Sequence, residues 1–375
     1  MKRKLIALLE QYSAKGAEEA GPRAVDQDTL VKLQALGYIG SFHGSLKPKD
    51  GERLADPKDK IELYNEIKQA QFLSSEDKPR EAEEKILSVL ARNPRILEGR
   101  YLLGHLYSKQ KKYEEAIAEF KKALEENPDY SDAIFGLALA YKETRRFDEA
   151  IVGFRRLIEI DPKDTKPYVH LSEIYQDMSE LDEAIRLVQA ALQLDPEVRL
   201  LHNRLGALYL GKKMYDPAEK EIRLALSMER SAPLLNAHFN LALIHEARGE
   251  LDLAVSEYRK EQETSPFNYK PDYNLGLLYL QQRDYEAAIK ELTSSIQKQE
   301  DYAPAYIFLA KCFMDGNKDL EEAEQLALKG LSLKPDRQST ILGHFLLADI
   351  YNRLGDTEKS QRHLQLAREF QQANR

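Results

Sequence analysis

Three histidines, His202, His238 and His344, recur at one phase of a repeating pattern, and His238 and His245 fall on what reads as one helix face. Imidazoles placed in this way are the donors a zinc site would use, so a metal centre is the first chemistry the chain suggests. Tyr168 and Tyr306 hold the same phase as the three histidines, which makes ordinary packing the better account. Cys312, the single cysteine, lies in a regular helical stretch at 306–313 and reads as a structural thiol rather than a nucleophile. Residues 37–44, GYIGSFHG, are glycine-rich, but they lack the Gly-Lys-Ser/Thr ending of a phosphate loop and follow a helical pattern rather than a strand. No G-x-S-x-G elbow occurs. The expectation is a chain with no catalytic apparatus, no cofactor, no metal and no small-molecule substrate.

What positions these residues is a repeat. Small residues recur as Ala70, Gly104, Ala138, Ser172, Gly206, Ala242, Gly276, Ala310 and Ala348, in steps of 34 residues apart from one of 36 and one of 38. Three residues after each comes a large one: Leu73, Tyr107, Tyr141, Tyr175, Tyr209, His245, Tyr279, Phe313 and Tyr351. A second small residue follows at twelve, or once at thirteen, as in Ala82, Ala116, Ala150, Ala184, Ala218, Ala254, Ala288, Ala323 and Ser360. Leu103, Gly104 and Tyr107 share one helical face, as do Ala116, Phe120 and Ala123, so each unit predicts two amphipathic helices. Polar turns such as Lys111-Lys112-Tyr113-Glu114 join them, and the paired small residues let the two antiparallel helices cross closely. Proline ends most units, as in Asn127-Pro128 and Asp161-Pro162.

The segments Leu103-Gly104-x-x-Tyr107, Ala116-x-x-x-Phe120-x-x-Ala123 and Asn127-Pro128 resemble the tetratricopeptide repeat family closely. The resemblance implies an all-α, right-handed superhelical solenoid of about nine antiparallel helix pairs over residues 58–375. The units fall near 63–96, 97–130, 131–164, 165–198, 199–234, 235–268, 269–302, 303–340 and 341–374, the first and last being caps. It also implies a concave groove lined by the first helix of each pair. By phase and analogy, the inward column comprises Tyr101, Phe135, Val169, Asn203, Phe239, Tyr273, Ile307 and Phe345, and its aromatics suit an apolar peptide segment. The alternative is that these rings pack against neighbouring helices. Asn240 and Asn274 recur beside Phe239 and Tyr273, placed to bond a bound backbone. Lys270 and Asn274 match part of the clamp by which some members hold a terminal carboxylate, but its other partners are absent.

Residues 1–57 do not repeat and read as a helix and a polar linker. The run Leu30-x-x-Leu33-x-x-Leu36-Gly37-Tyr38-Ile39-Gly40, with Asp56-Pro57-Lys58-Asp59-Lys60 and Tyr64-Asn65, resembles the junction between a sulfatase-type hydrolase and C-terminal tetratricopeptide repeats in some bacterial proteins. This implies that the chain is the detached tail of such an enzyme. The sulfatase nucleophile motif itself is missing, since Ser231-Ala232-Pro233 is followed by Leu235 where arginine is needed. Composition narrows the partners. With 63 acidic against 55 basic residues the net charge is -8, so nucleic acid and anionic membrane are not expected, although an RNA-binding helical repeat is the weaker alternative. The apolar stretch before Glu10 is too short for a signal peptide and no run is long enough to span a bilayer. The expected partner is a protein or peptide. The expected compartment is the cytoplasm as the sequence stands, or the periplasm or exterior if it is a fragment.

Overall fold

The computed structural model describes residues 57–228 and 233–372. Among them are eighteen helices and no strand. The first compact unit, Met1–Pro167, contains α1 (Pro57–Ser75), α2 (Pro79–Arg92), α3 (Leu97–Lys109), α4 (Tyr113–Glu126), α5 (Ser131–Glu143) and α6 (Phe147–Ile160). The second, Tyr168–Arg375, takes in most of α7 (Thr165–Asp177) and then α8 (Leu181–Leu194), α9 (Arg199–Gly211), α10 (Tyr215–Ser227), α11 (Ala237–Ala247) and α12 (Leu251–Thr264). It continues with α13 (Lys270–Gln281), α14 (Tyr285–Lys298), α15 (Ala303–Asp315), α16 (Leu320–Ser332), α17 (Arg337–Arg353) and α18 (Thr357–Gln372). Within each compact unit, successive helices pack as consecutive pairs, the pattern the 34-residue period predicts.

The second helix of each pair is the more plainly amphipathic. In α4, Ala116, Ile117, Phe120 and Ala123 form the buried stripe, while Glu114 and Glu115 occupy the first turn, where the helix dipole favours acid. Fully buried Phe120 fills the crossing: a Cβ placed on Gly104 would lie 2.7 Å from its ring, and one on Gly136 2.5 Å. The core is local. One apolar cluster runs from Ile67 to Leu106 and another from Ala116 to Ala133 in the first unit, while the second unit carries four more, each drawn from adjacent pairs. Stability in such an array is a sum over neighbouring units.

Two recurrent backbone devices set the pair geometry. At the C-terminal end of a pair, Asn93, Asn127, Asp161 and Asp195 stand before proline in extended backbone, and each side-chain oxygen accepts the amide two residues on, at 3.0–3.2 Å. Proline forbids the helical conformation in the residue before it, and the Asx turn satisfies the freed amide.

Inside each pair, the chain reverses through one residue with positive φ: Asp77, Lys111, Arg145, Ser179, Lys213, Gly249, Arg283, Asn317 and Gly355. The following residue donates back across the turn, as in Lys112 to the Tyr107 carbonyl at 2.9 Å and Arg146 to the Tyr141 carbonyl at 2.8 Å. Seven of the nine sites carry a side chain in a conformation that costs an L-residue about 1 kcal/mol. Arg145→Gly is therefore expected to stabilise the fold by several tenths to about 1 kcal/mol, and Gly249→Ala to destabilise it by about 1 kcal/mol, in urea unfolding followed by circular dichroism.

Candidate functional site

In the second unit, the first helices of four consecutive pairs, α11, α13, α15 and α17, share a cavity of about 770 Å³. Its aliphatic and phenyl lining comes from Leu277 and Leu280 of α13 and Phe308 of α15. Charged groups from α11, α15 and α17 stand around it: Glu246, Lys311, Asp315 and Arg353, with Arg283 from the turn after α13. Helical spacing explains the set. Leu277, Leu280 and Gln281 follow the small residue Gly276 by one, four and five positions, and Lys311 and Asp315 follow Ala310 by one and five, so the face next to the helix crossing is the one left open.

The rim charges are held in place. Lys311 pairs with Asp315 at 2.7 Å, and the Arg353 guanidinium donates to the Met314 carbonyl at 2.9 Å. Glu246 accepts the Tyr258 hydroxyl at 2.8 Å, and that hydroxyl accepts the Asn274 amide at 2.9 Å. Burial first, and the Glu246 carboxylate second, push the Tyr258 phenol far above the ordinary tyrosine range, so it stays a neutral donor. Tyr258 takes the position that Phe120 and Phe154 hold in the first unit; its ring fills the core and its oxygen reaches Glu246.

None of the nine residues singled out by phase lines this cavity. Tyr101 is half-buried, with ring centroids of Phe120 and Tyr130 both 6.1 Å away. Phe135 meets Phe154 at 5.8 Å, Phe239 meets Tyr258 at 5.7 Å, and Tyr273 meets Tyr302 at 5.1 Å. Asn203 donates to the Leu235 carbonyl at 3.2 Å, and the Asn274 amide is engaged by Tyr258. Asn240 is half-buried next to Phe239, Lys270 is exposed at the start of α13, and Phe345 is exposed on α17. Val169 is half-buried, whereas Ile307 is wholly inside the core.

The histidines resolve into local pairs. His202 meets Glu221 at 2.6 Å and the Pro196 carbonyl at 3.0 Å, and His238 meets Glu257 at 2.6 Å. Burial alone would raise the Glu257 carboxyl, but hydrogen bonds and charge from His238 and Lys260 together outweigh it and hold it at about 2. His245 bonds Glu250 instead. Among the described residues, no three metal-ligating side chains gather. Cys312 is fully buried, and burial pushes its thiol up to about 12, the environment of an inert core cysteine. Residues 37–44 and the Ser231-Ala232 pair lie outside the described residues.

Models of the tetratricopeptide repeat match residues 69–131, 107–172, 165–198 and 279–343, together just over half of the sequence. The chain belongs to the tetratricopeptide repeat family. Tetratricopeptide repeats generally mediate protein–protein interaction. The junction motif expected before the repeats falls mainly outside the described residues, its last part, 57–65, beginning α1, and none of the matches supports it. A BBSome complex member BBS4 homolog of Drosophila melanogaster is 33% identical over 73 residues, 20% of this chain and 15% of that protein. The chain thus spans about 15% of the length of this curated relative. Among solved tetratricopeptide structures, MamA from Desulfovibrio magneticus RS-1 is similar at 21% identity, covering 45% of this chain and 96% of that one, with a TM-score of 0.42. An IFIT1 monomeric mutant with Gppp-AAAA has a TM-score of 0.53 at 16% identity, covering 82% of this chain and 78% of that one, a likeness of fold.

Proposed function

We propose that this chain is a protein-interaction scaffold that holds an apolar segment of a partner against the first-helix face of its second unit. The observation that carries the reading is that Leu277, Leu280 and Phe308 line one face together with charged groups on α11, α15 and α17. The apolar side chains of such a face take apolar anchors, and the many charged groups around them set the register of the segment that bears them. A helical segment with leucine-like residues at i, i+3 and i+4 suits this surface. Phe239, Asn240, Tyr273 and Asn274 lie on two of the same helices and flank the segment in this reading, with Asn203, Lys270 and Phe345 further along the second unit. Tyr101 and Phe135 are the corresponding positions of the first unit.

The test is affinity retention of cellular proteins by the wild-type chain, by a Leu277→Asp/Leu280→Asp variant, and by a Leu253→Asp control. Leu253 is half-exposed on α12 and does not line the cavity. Circular dichroism establishes that all three are folded. Retention of a partner is expected to fall at least tenfold for the double variant and to stay level for the control. Equal retention by all three contradicts the reading, and loss with Phe239→Ala/Tyr273→Ala instead moves the surface to the aromatic column.

A further inference from the structure

The last helix pair carries a feature that the interaction reading does not use. In three helix pairs, a position on the first helix meets one nineteen residues later on the second through complementary groups: Arg100 with Glu119, His202 with Glu221, His238 with Glu257. In the last pair both partners are imidazoles. His344 of α17 and His363 of α18 bring their Nδ1 atoms to 3.0 Å, and among the described residues no carboxylate lies within hydrogen-bond distance of either ring.

We propose that His344 and His363 form a two-imidazole chelate for a divalent transition metal of the copper, nickel or zinc type, with water filling the remaining positions. Two cis ligands on a metal at about 2.0–2.1 Å stand roughly 3 Å apart, which is the separation found here. The rings are held from both sides. His344 stacks on Phe370 at a centroid distance of 5.8 Å, and His363 stacks on Tyr351 at 5.4 Å. Locked imidazoles lose little conformational freedom on binding. In the metal-free pair one Nδ1 hydrogen is shared between the rings; binding moves that hydrogen to Nε2 of the same ring and leaves both Nδ1 lone pairs on the metal. Glu324 lies within electrostatic reach of His363 but is occupied by the Tyr351 hydroxyl at 2.6 Å, so it supports the site without being counted as a ligand.

The experiment uses the full, untagged chain after chelator treatment and dialysis. Calorimetric titration with Cu(II) and Zn(II) is combined with electron paramagnetic resonance of the Cu(II) form, and repeated on His344→Phe and His363→Phe, which keep the ring stack and remove one donor. One equivalent bound with hyperfine splitting from two nitrogens is expected for the wild type, with affinity at least tenfold weaker and a single nitrogen in each variant. His363→Glu restores the histidine–glutamate pair seen in α9/α10 and α11/α12, and serves as the folded reference by circular dichroism. Absence of saturable binding, or unchanged affinity and spectrum in both phenylalanine variants, overturns the proposal and leaves the two rings as a simple hydrogen-bonded pair.

Discussion

Phe120→Ala is expected to destabilise the first unit by about 3–5 kcal/mol. The ring is 1% exposed and closes the space left by two glycines, Gly104 on its own pair and Gly136 on the next. Neither glycine has a side chain to collapse into the void. The same geometry makes the two sites non-additive. Gly104→Ala alone puts a methyl group 2.7 Å from the ring and is expected to cost about 1–3 kcal/mol. In the Phe120→Ala background that methyl enters empty space, so the second substitution is expected to be neutral or to recover part of the loss. Urea unfolding of the four proteins of the cycle checks this, and additive losses would show that Gly104 and the ring do not share one volume.

Glu261→Ala carries the second large effect, a loss of about 2–4 kcal/mol from the second unit. Its carboxylate is fully buried on α12, yet it accepts the Asn236 amide at 2.8 Å, the Phe239 amide at 3.2 Å and the Ser265 hydroxyl at 2.8 Å. Asn236 stands at φ 62 and caps α11 with no side-chain hydrogen bond to the helix it starts. Glu261 therefore supplies from the next helix the acceptor that the start of α11 lacks, at the end of the helix where negative charge is favoured. Alanine fits the space, because Ala123, Ala191, Ala225 and Ala367 fill the equivalent position in other pairs with no exposure. The substitution thus removes the acceptor without creating a clash. Glu261→Gln is expected to fall between alanine and the wild type, since one oxygen remains while the amide faces donors. Stability equal to the wild type in the alanine variant would mean that the cost of burying the carboxylate cancels its hydrogen bonds.

Much of this architecture is legible in the sequence, because the core positions carry the period. A small residue at a helix crossing and a large one three positions later repeat whenever a pair packs on its neighbour, and the nine pairs follow from that spacing alone. The turn inside each pair is less visible, for seven of its nine positive-φ residues are not glycine, and tertiary packing holds them there against their own preference. The cavity is missed by one step of helix phase. Aromatic residues at the Tyr101 and Tyr273 position draw attention as binding groups, but in these pairs they lie between helices, and the open face begins just after the small residue, at Leu277 and Lys311. The signal for that face is Leu277, which follows Gly276 directly. Glu261 was silent for a different reason: a glutamate in a charged helix reads as solvent-facing unless its position in the repeat is compared with the alanines of other pairs. The histidine slot was visible as a phase, but its partner nineteen residues on was not, because pairing across a helix crossing depends on geometry that a single-helix pattern lacks.

The central claim is that the partner lies on the first-helix face of the second unit. Site-specific photo-crosslinking addresses it most directly, with a benzophenone side chain placed at Gln281 on the cavity rim or at Lys220, exposed on α10 and away from the cavity. The account predicts that a retained partner is captured from position 281 and not from position 220, and that capture disappears in the Leu277→Asp/Leu280→Asp background. Capture from position 220 with none from 281 would contradict it.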